Sequence, residues 1–215
     1  MPDWLDHQAP MLPRMLRRQG YKTYHFGKWH LANFDAKDAP QCTAYGYDHA
    51  YVWNAPGEST TVDGVFDDVI EVIKNKADQP FFINLWIHEP HTPFFPRDEF
   101  LKHYEKKGLG ERERVYPAVI TETDQKIGKV LAALDEAGLT DDTLVVFTSD
   151  NGPEHPNKQI KMGKGLGRFY SLGTTGGLRG AKRSLHEGGI RVPLIVRWPG
   201  KVPRDMVDKT NVITA

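Results

Sequence analysis

The sequence predicts an α/β fold in which helices flank a largely parallel central sheet. Three times along the chain, a segment with helical apolar spacing precedes a short apolar run that has the composition of a strand. Two of these runs, FFINLWI and LVVF, are continuous rather than alternating, as expected of strands covered on both faces. Helices alternating with such strands are typical of a parallel sheet.

The first helix and strand lie near the start of the chain. The helix is predicted from three apolar residues that share one helical face, Leu12, Met15 and Leu16. Gly20 stands where a helix C-terminus favours glycine. A strand over residues 21 to 26 follows, and Gly27 is expected to end it.

The later elements repeat this order. A second helix is predicted from Val65, Val69, Val72 and Ile73, and it precedes a strand in PFFINLWIH, residues 80 to 88. A third helix is predicted from Ile120, Ile127, Leu131 and Leu134. It ends near Gly138 and leads into TLVVFTSDNG, residues 143 to 152. A last apolar run covers residues 192 to 198. The Gly- and Lys-rich stretch between residues 152 and 191 is too long for an ordinary connection, so we interpret it as mobile or as an active-site loop.

Composition excludes several classes of function. The 215 residues suffice for one domain or for part of a larger one, and 28 basic residues balance 28 acidic ones. No global charge therefore favours nucleic acid or an anionic membrane as a partner, and no apolar run is long enough for a membrane span. The single cysteine, Cys42, excludes an internal disulfide and a CxxC metal site. The N-terminal residues do not resemble a signal peptide, so the localisation stays open.

Polar side chains follow three of the predicted strands directly. They are Lys28 and His30, then His88 and His91, then Asp150 and Asn151. In open α/β sheets ligands bind at the carboxyl ends of the strands. The pattern therefore predicts one functional site at one rim of the sheet.

Asp150 and Asn151 offer a carboxylate and an amide oxygen, and Gly152 lets the backbone turn away. Hard oxygen ligands suit Ca²⁺ or Mg²⁺ better than zinc. The alternative is that Asp-Asn-Gly is simply a turn. One carboxylate holds a divalent cation poorly, so a metal site requires further acidic ligands from elsewhere.

His91 lies in HEPHTP, where Pro90 and Pro93 stiffen the backbone. A rigidly placed imidazole suits a proton donor or an anion ligand, although a surface histidine in a proline-rich loop is equally compatible with the pattern. His88 is a weaker candidate, because it can end the strand as a half-buried polar cap.

Lys182 belongs to a basic, glycine-flanked stretch that could neutralise an anionic substrate together with Lys164, Arg168, Arg179 and Arg183. The alternative is a solvated basic loop. Glu187, Gly188 and Gly189 are interpreted as a tight turn, with Glu187 in a buried salt bridge to Arg191. Cation-binding oxygens, lysines and histidines at one rim together suit a tetrahedral oxyanion ester.

Four motifs in this order resemble those of the sulfatase family, within the alkaline-phosphatase-like superfamily. They are GYKTYHFGKWHL, PHTP, FTSDNG and LRGAKRSLHEGGIRVPLIVRWPG. The resemblance implies that Lys28 bridges the sulfate and the metal site and that His30 is a partner of the nucleophile. It makes His91 the histidine that contacts sulfate and helps to protonate the leaving alcohol.

The resemblance also implies that Asp150 and Asn151 are metal ligands, usually for Ca²⁺, and that Lys182 binds the sulfate group. The family nucleophile is a formylglycine made from a C/S-x-P-x-R motif, which these 215 residues do not contain. Cys42 lies after GKWH in a different context. We therefore interpret residues 1 to 215 as an incomplete internal piece of a sulfatase catalytic domain, inactive alone, with its nucleophile encoded upstream.

The leading hypothesis is a sulfuric ester hydrolase, and the expected partner is a sulfated small molecule or glycan, such as a sugar sulfate or an aryl sulfate. One alternative is a phosphate or phosphonate ester hydrolase of the same superfamily. Another is a non-catalytic remnant that binds sulfated ligands. Specificity is expected in residues 32 to 60 and 152 to 180, where Trp53, Phe169 and Tyr170 could stack on a sugar ring; core packing is the favoured role for Trp86.

Overall fold

The protein's structure is a computed structural model that describes residues 4–32, 36, 38–53, 63–75, 79–92, 94–154 and 173–210. Its contacts divide the chain into two compact units. The first comprises Met1–Ala133 and Ile160–Tyr170, and the second comprises Leu134–Gln159 and Ser171–Ala215. Each unit is described by itself.

The first unit contains most of the regular structure. Its elements in chain order are α1 (Leu12–Arg18), β1 (Lys22–Lys28), a 3-10 helix (Cys42–Tyr45), β2 (His49–Trp53), α2 (Asp63–Lys74), β3 (Phe81–Trp86) and α3 (Asp98–Glu105). Helix α4 (Val115–Glu136) begins in the first unit and ends in the second. The second unit continues with β4 (Val145–Thr148), α5 (Glu187–Ile190) and β5 (Leu194–Arg197).

The sheet of the first unit confirms the predicted parallel arrangement. Its strand order is β2-β1-β3, and β1 runs parallel to both neighbours. Strand β2 lies in a region that was interpreted as a specificity loop. The sequence did not predict this strand. Its five residues follow Gly46 and Asp48, which are typical of loops, and they include the polar, exposed His49.

Helix α1 forms where the apolar spacing predicts it, but with a different inward face. Leu12 and Met15 are both 56% exposed, whereas Pro13 is buried. Arg14 donates a hydrogen bond to the Ala44 carbonyl at 2.6 Å, so the inward side of the helix is held against the 3-10 helix. The predicted helix is therefore confirmed, although two of the three residues on the predicted face are exposed. In α2 the predicted face is confirmed, because Val69 and Ile73 are buried.

The second unit has its own small sheet, in which β4 pairs antiparallel with β5. Val146 and Phe147 of β4 are exposed. The prediction of a strand covered on both faces is wrong for β4, because these two consecutive residues point to opposite faces of the strand and both are exposed. The segment Glu187–Ile190 is a four-residue helix rather than a tight turn. The predicted pair of Glu187 with Arg191 exists at 3.5 Å, but it is exposed, since it spans one turn of that surface helix.

A further buried cluster joins α3, which the sequence did not predict, to the start of α4. It contains Phe94, Phe100, Leu101, Val115, Ala118 and Val119. Among the residues described, no helix has the length and hydropathy to cross a lipid bilayer.

Glu122 of α4 is a buried carboxylate that fixes the start of α3. It accepts hydrogen bonds from the Arg97 backbone N–H at 2.8 Å and from Arg97 Nε at 3.1 Å, and it pairs with Lys126 at 3.0 Å. Arg97 is the residue that precedes α3. One carboxylate thus satisfies an N–H group at the helix entrance and two side-chain cations.

We expect Glu122→Gln to lower the free energy of unfolding by about 2 kcal/mol, because it leaves two cations without their buried counter-charge. Chemical denaturation measures the change. The matched control is Glu99→Gln, since Glu99 also pairs with Arg97, at 3.2 Å, but is 65% exposed. The control should change stability by less than about 0.5 kcal/mol. Equal losses in the two variants would contradict the assigned role of Glu122.

Candidate active site

Lys28 is the last residue of β1, so the strand runs through Gly27 rather than ending there. The prediction that Gly27 terminates the strand is wrong. Gly27 has a φ of 96°, and a Cβ atom at this position would lie 2.2 Å from the Trp86 carbonyl oxygen. Glycine thus allows β1 to approach β3 closely and still turn in a left-handed conformation. Lys28 is delivered, half-buried, at the carboxyl end of the strand.

Trp29 anchors the chain directly after β1. Its ring is 5% exposed and makes edge contacts with Tyr45 at 5.2 Å and with His25 at 5.0 Å between ring centroids. The next residue, His30, is exposed. An aromatic side chain buried in the core therefore separates two polar residues that lie closer to solvent.

His25 lies beneath this turn and was not singled out by its sequence. It is fully buried, and its Nε2–H donates to the Lys28 carbonyl at 3.0 Å. Its Nδ1 accepts from the Asn84 amide at 3.4 Å, and the same amide nitrogen donates to the Tyr47 hydroxyl at 2.9 Å. Burial lowers the pKa of His25 to about 4, although the hydrogen bond with Lys28 acts in the opposite direction. His25 is thus a neutral ring that holds the backbone of Lys28.

His88 and His91 form a second cluster, beyond the end of β3. Their ring centroids lie 5.3 Å apart, and the His91 N–H donates to the His88 carbonyl at 2.9 Å. His88 is buried rather than half-buried, and it lies beyond Trp86, the last residue of β3. Nδ1 of His91 donates to the Thr92 carbonyl at 2.6 Å, which assigns the Nδ1–H tautomer to the neutral ring. Proton exchange with a substrate would then use Nε2.

The two groups of polar residues in the first unit, Lys28 with His30 and His88 with His91, follow strands that end at the same side of the sheet. Gly27 pairs in parallel register with Trp86, so Lys28 and the turn that carries His88 and His91 leave the sheet at the same end. The two strand ends therefore lie side by side, as parallel strand geometry requires. The convergence of the third cluster on this rim stays a prediction.

Asp150 and Asn151 follow β4 in the second unit. Asp150 is exposed and Asn151 is half-buried. The Asn151 amide nitrogen donates to the Gly152 carbonyl at 2.8 Å, and the Ser149 hydroxyl donates to the Asn151 carbonyl at 3.0 Å. These bonds order the turn and engage the nitrogen of the Asn151 amide, which leaves its oxygen as the atom suited to a cation.

Backbone hydrogen bonds connect this turn to the loop that carries Lys182. The Gly152 N–H donates to the Gly189 carbonyl at 2.8 Å, and the Lys182 N–H donates to the Pro153 carbonyl at 2.9 Å. The contact is close: a Cβ atom on Gly152 would lie 2.0 Å from the Gly188 carbonyl oxygen. Glycines therefore let the two segments pack backbone against backbone, and they place half-buried Lys182 beside the Asp150–Asn151 turn.

The predicted basic patch is only partly described. Arg183 forms an ion pair with Glu154 at 2.9 Å, so its charge is already matched within the protein. Lys164, Arg168, Phe169 and Tyr170 lie outside the described residues, as does the side chain of Trp53. Trp86 packs against His25 at 4.8 Å, which confirms its packing role.

The donor set at Asp150 and Asn151 fits a hard cation such as Ca²⁺ or Mg²⁺ in type, because both side chains offer oxygen. It is too small in number, since Ca²⁺ takes about six to eight oxygen ligands. Within the part of the chain that the structure describes, no three His, Cys, Asp or Glu side chains are arranged to hold a metal.

Known proteins resemble this chain over most of its length. It is 36% identical to an N-acetylgalactosamine-6-O-sulfatase of Bacteroides thetaiotaomicron over 144 residues, 63% of this chain and 26% of that protein. It is 28% identical to the N-acetylgalactosamine-6-sulfatase of Canis lupus familiaris over 237 residues, 93% of this chain and 42% of that protein. The chain thus spans less than half the length of these relatives.

The fold resembles that of solved structures. The crystal structure of Ps i-CgsB in complex with k-i-k-neocarrahexaose matches 94% of this chain and 51% of that chain, with a TM-score of 0.71 and 22% identity. The match supports the α/β fold with a parallel sheet flanked by helices. The family model described as Sulfatase matches residues 4–213. By its sequence, this chain belongs to the sulfatase family.

Proposed function

We propose that this chain is part of the catalytic domain of a sulfuric ester hydrolase that acts on a sulfated sugar or an aryl sulfate. The observation that carries the proposal is the bonded contact between the Asp150–Asn151 turn and the Lys182 loop, made through Gly152 and Pro153. This contact brings the backbone of Lys182 close to the turn of the two proposed cation ligands, which supports a shared role for their side chains. A sulfate ester needs both the cation and the ammonium group, since negative charge is spread over its non-bridging oxygens.

The side chains of this chain take distinct roles in the proposal. Lys28 and Lys182 offset the charge of the sulfate oxygens. In its doubly protonated form, His91 gives the Nε2 proton to the leaving oxygen and remains as the neutral ring whose Nδ1–H donates to the Thr92 carbonyl. His30 assists the nucleophile, and His25 keeps the Lys28 backbone in place.

Asp150 and Asn151 would hold the cation, Ca²⁺ or Mg²⁺, which when bound draws charge from the sulfate oxygens. The nucleophile of the family is a formylglycine. Its C/S-x-P-x-R motif is absent from these 215 residues, so the roles above concern binding and proton transfer alone.

A sulfated sugar is the favoured substrate class. Both relatives described above carry the name of a sulfatase of N-acetylgalactosamine, and the fold also resembles a protein solved with a neocarrahexaose. The partner is therefore proposed to be a sulfated monosaccharide or a sulfated glycan.

Inorganic sulfate, titrated in the presence of Ca²⁺ and followed by calorimetry, is expected to bind the folded chain. Lys182→Ala should weaken this binding by about tenfold or more, because a charge-assisted hydrogen bond is lost. Lys201→Ala is the matched control, since Lys201 is an exposed lysine of the same unit, and it should leave the affinity unchanged. Absence of binding to a folded chain, or equal losses in both variants, would contradict the assigned site.

Turnover separates the alternatives. In a polypeptide that joins this chain to a segment with a C/S-x-P-x-R motif, we expect hydrolysis of an aryl sulfate in preference to an aryl phosphate. His91→Ala should reduce turnover by roughly 10²-fold if the imidazole protonates the leaving oxygen. A preference for phosphate would support the phosphate ester hydrolase instead. Binding of sulfated ligands without any turnover would support a non-catalytic role.

A further inference from the structure

Three consecutive residues connect the Asp150–Asn151 turn to the Lys182 loop. The Gly152 N–H donates a hydrogen bond to the Gly189 carbonyl, and the Pro153 carbonyl accepts one from the Lys182 N–H. The third link is made by side chains: Arg183 Nη1 lies 2.9 Å from both carboxylate oxygens of Glu154. The first two links are backbone hydrogen bonds, and the third is an ion pair between two side chains.

Arg183 has an unusual backbone. Its φ is 73°, in the left-handed region that non-glycine residues rarely adopt. A residue remains in that region when its surroundings stabilise it. The charge-assisted bonds to Glu154, whose side chain is 21% exposed, supply such an interaction directly beside Lys182.

We propose that Arg183 and Glu154 are positioning residues for Lys182, and the inference rests on the proposed function of Lys182 as a sulfate ligand. The φ of Arg183 sets the direction in which the chain leaves Lys182. Because Glu154 holds the Arg183 side chain, it also holds this backbone and the Lys182–Pro153 hydrogen bond. The ion pair thereby fixes the distance between the sulfate lysine and the cation-binding turn.

Amide hydrogen exchange at Lys182, measured by NMR on the full chain, tests the link without any ligand. Glu154→Gln should accelerate exchange of the Lys182 N–H about threefold to fivefold, as expected from the loss of a partly exposed ion pair. The charge-swapped double variant, Glu154→Arg with Arg183→Glu, should restore most of the protection. Asp135→Asn is the control, since it removes the ion pair with Arg197 elsewhere in the same unit, and it should leave Lys182 unaffected.

Sulfate titration of the same variants tests the functional part. Glu154→Gln should weaken sulfate binding about threefold, and the double variant should recover it. Unchanged exchange at Lys182 in Glu154→Gln would overturn the proposal. So would faster exchange with unchanged sulfate affinity, since the pair would then be only structural. If the unaltered chain binds no sulfate, both the proposed function and this role for Lys182 fail, while the exchange data still decide whether the ion pair orders the loop.

Discussion

Replacing Gly27 with alanine is expected to lower the free energy of unfolding by about 3 kcal/mol or more. Two costs add: a left-handed backbone disfavours any Cβ atom by roughly 1–2 kcal/mol, and overpacking costs about 1–3 kcal/mol. The second cost is unavoidable here, because the new atom would lie 2.2 Å from the Trp86 carbonyl oxygen, and neither strand backbone can move without breaking the sheet. Chemical denaturation followed by circular dichroism measures the loss.

Alanine substitutions at two other glycines measure the backbone contribution separately from the overpacking. Gly20 has a similar φ of 87°, but no described atom lies within 4 Å of a Cβ atom placed there. Gly20→Ala should therefore show only the backbone cost, about 1 kcal/mol. Gly128 lies inside α4 in equally open surroundings, and Gly128→Ala should stabilise the protein by about 0.5–1 kcal/mol. A Gly27→Ala variant no less stable than Gly20→Ala would refute the close approach of β1 to β3.

The second large effect is a loss of stability in mild acid that originates at His25. Burial lowers its pKa to about 4 from an ordinary value of 6.5. Between these values the unfolded chain binds a proton that the folded protein does not. The contribution of His25 to stability is therefore complete above pH 6.5 and decreases as the pH falls towards 4. With about 1.4 kcal/mol per pKa unit, the total loss amounts to roughly 3 kcal/mol.

Two carboxylates with lowered pKa values, Asp48 and Asp135, act below this pH range. Burial raises the pKa of Asp48, but hydrogen bonds from Thr23 and the charges of Lys22 and Arg17 outweigh it, so the pKa is below its ordinary value of 3.8. Hydrogen bonds from Thr140 and Arg197 likewise lower the pKa of Asp135. A carboxyl group with a lowered pKa loses its contribution only as the pH falls below its ordinary value, which lies under the His25 range.

His25→Gln isolates the effect. Glutamine can still donate to the Lys28 carbonyl, but it does not titrate, so stability between pH 6.5 and 4 should become nearly flat. His103→Gln is the control, because His103 is an exposed residue of α3, and it should retain the slope of the unaltered protein. Denaturant titrations at several pH values provide the measurement. A slope that survives in His25→Gln would assign the acid sensitivity to another group.

Gly27 and His25 lie in one motif that the sequence predicted only in part. The motif GYKTYHFGKWHL predicted a strand followed by polar residues. The structure confirms the strand, and it places Lys28 and the His88–His91 turn at the same end of the sheet. His25 escaped notice, because one histidine inside an apolar run carries no periodic signal. The available hint was its position in the strand. Because every second residue of a strand shares a face, His25 points to the face opposite Tyr24 and Phe26.

Local pattern by itself determined most helices, the parallel strands β1 and β3, and the family to which the motifs belong. These features depend on residues close together in the chain, where apolar spacing, glycines and short motifs directly reflect backbone geometry. The tertiary structure alone decided that β1 continues through Gly27, that His25 holds Lys28, and that Arg183 is paired with Glu154. The first and third of these depend on contacts between segments distant in sequence, and the His25 ring is itself set by the Asn84 amide on β3. No local period encodes such contacts.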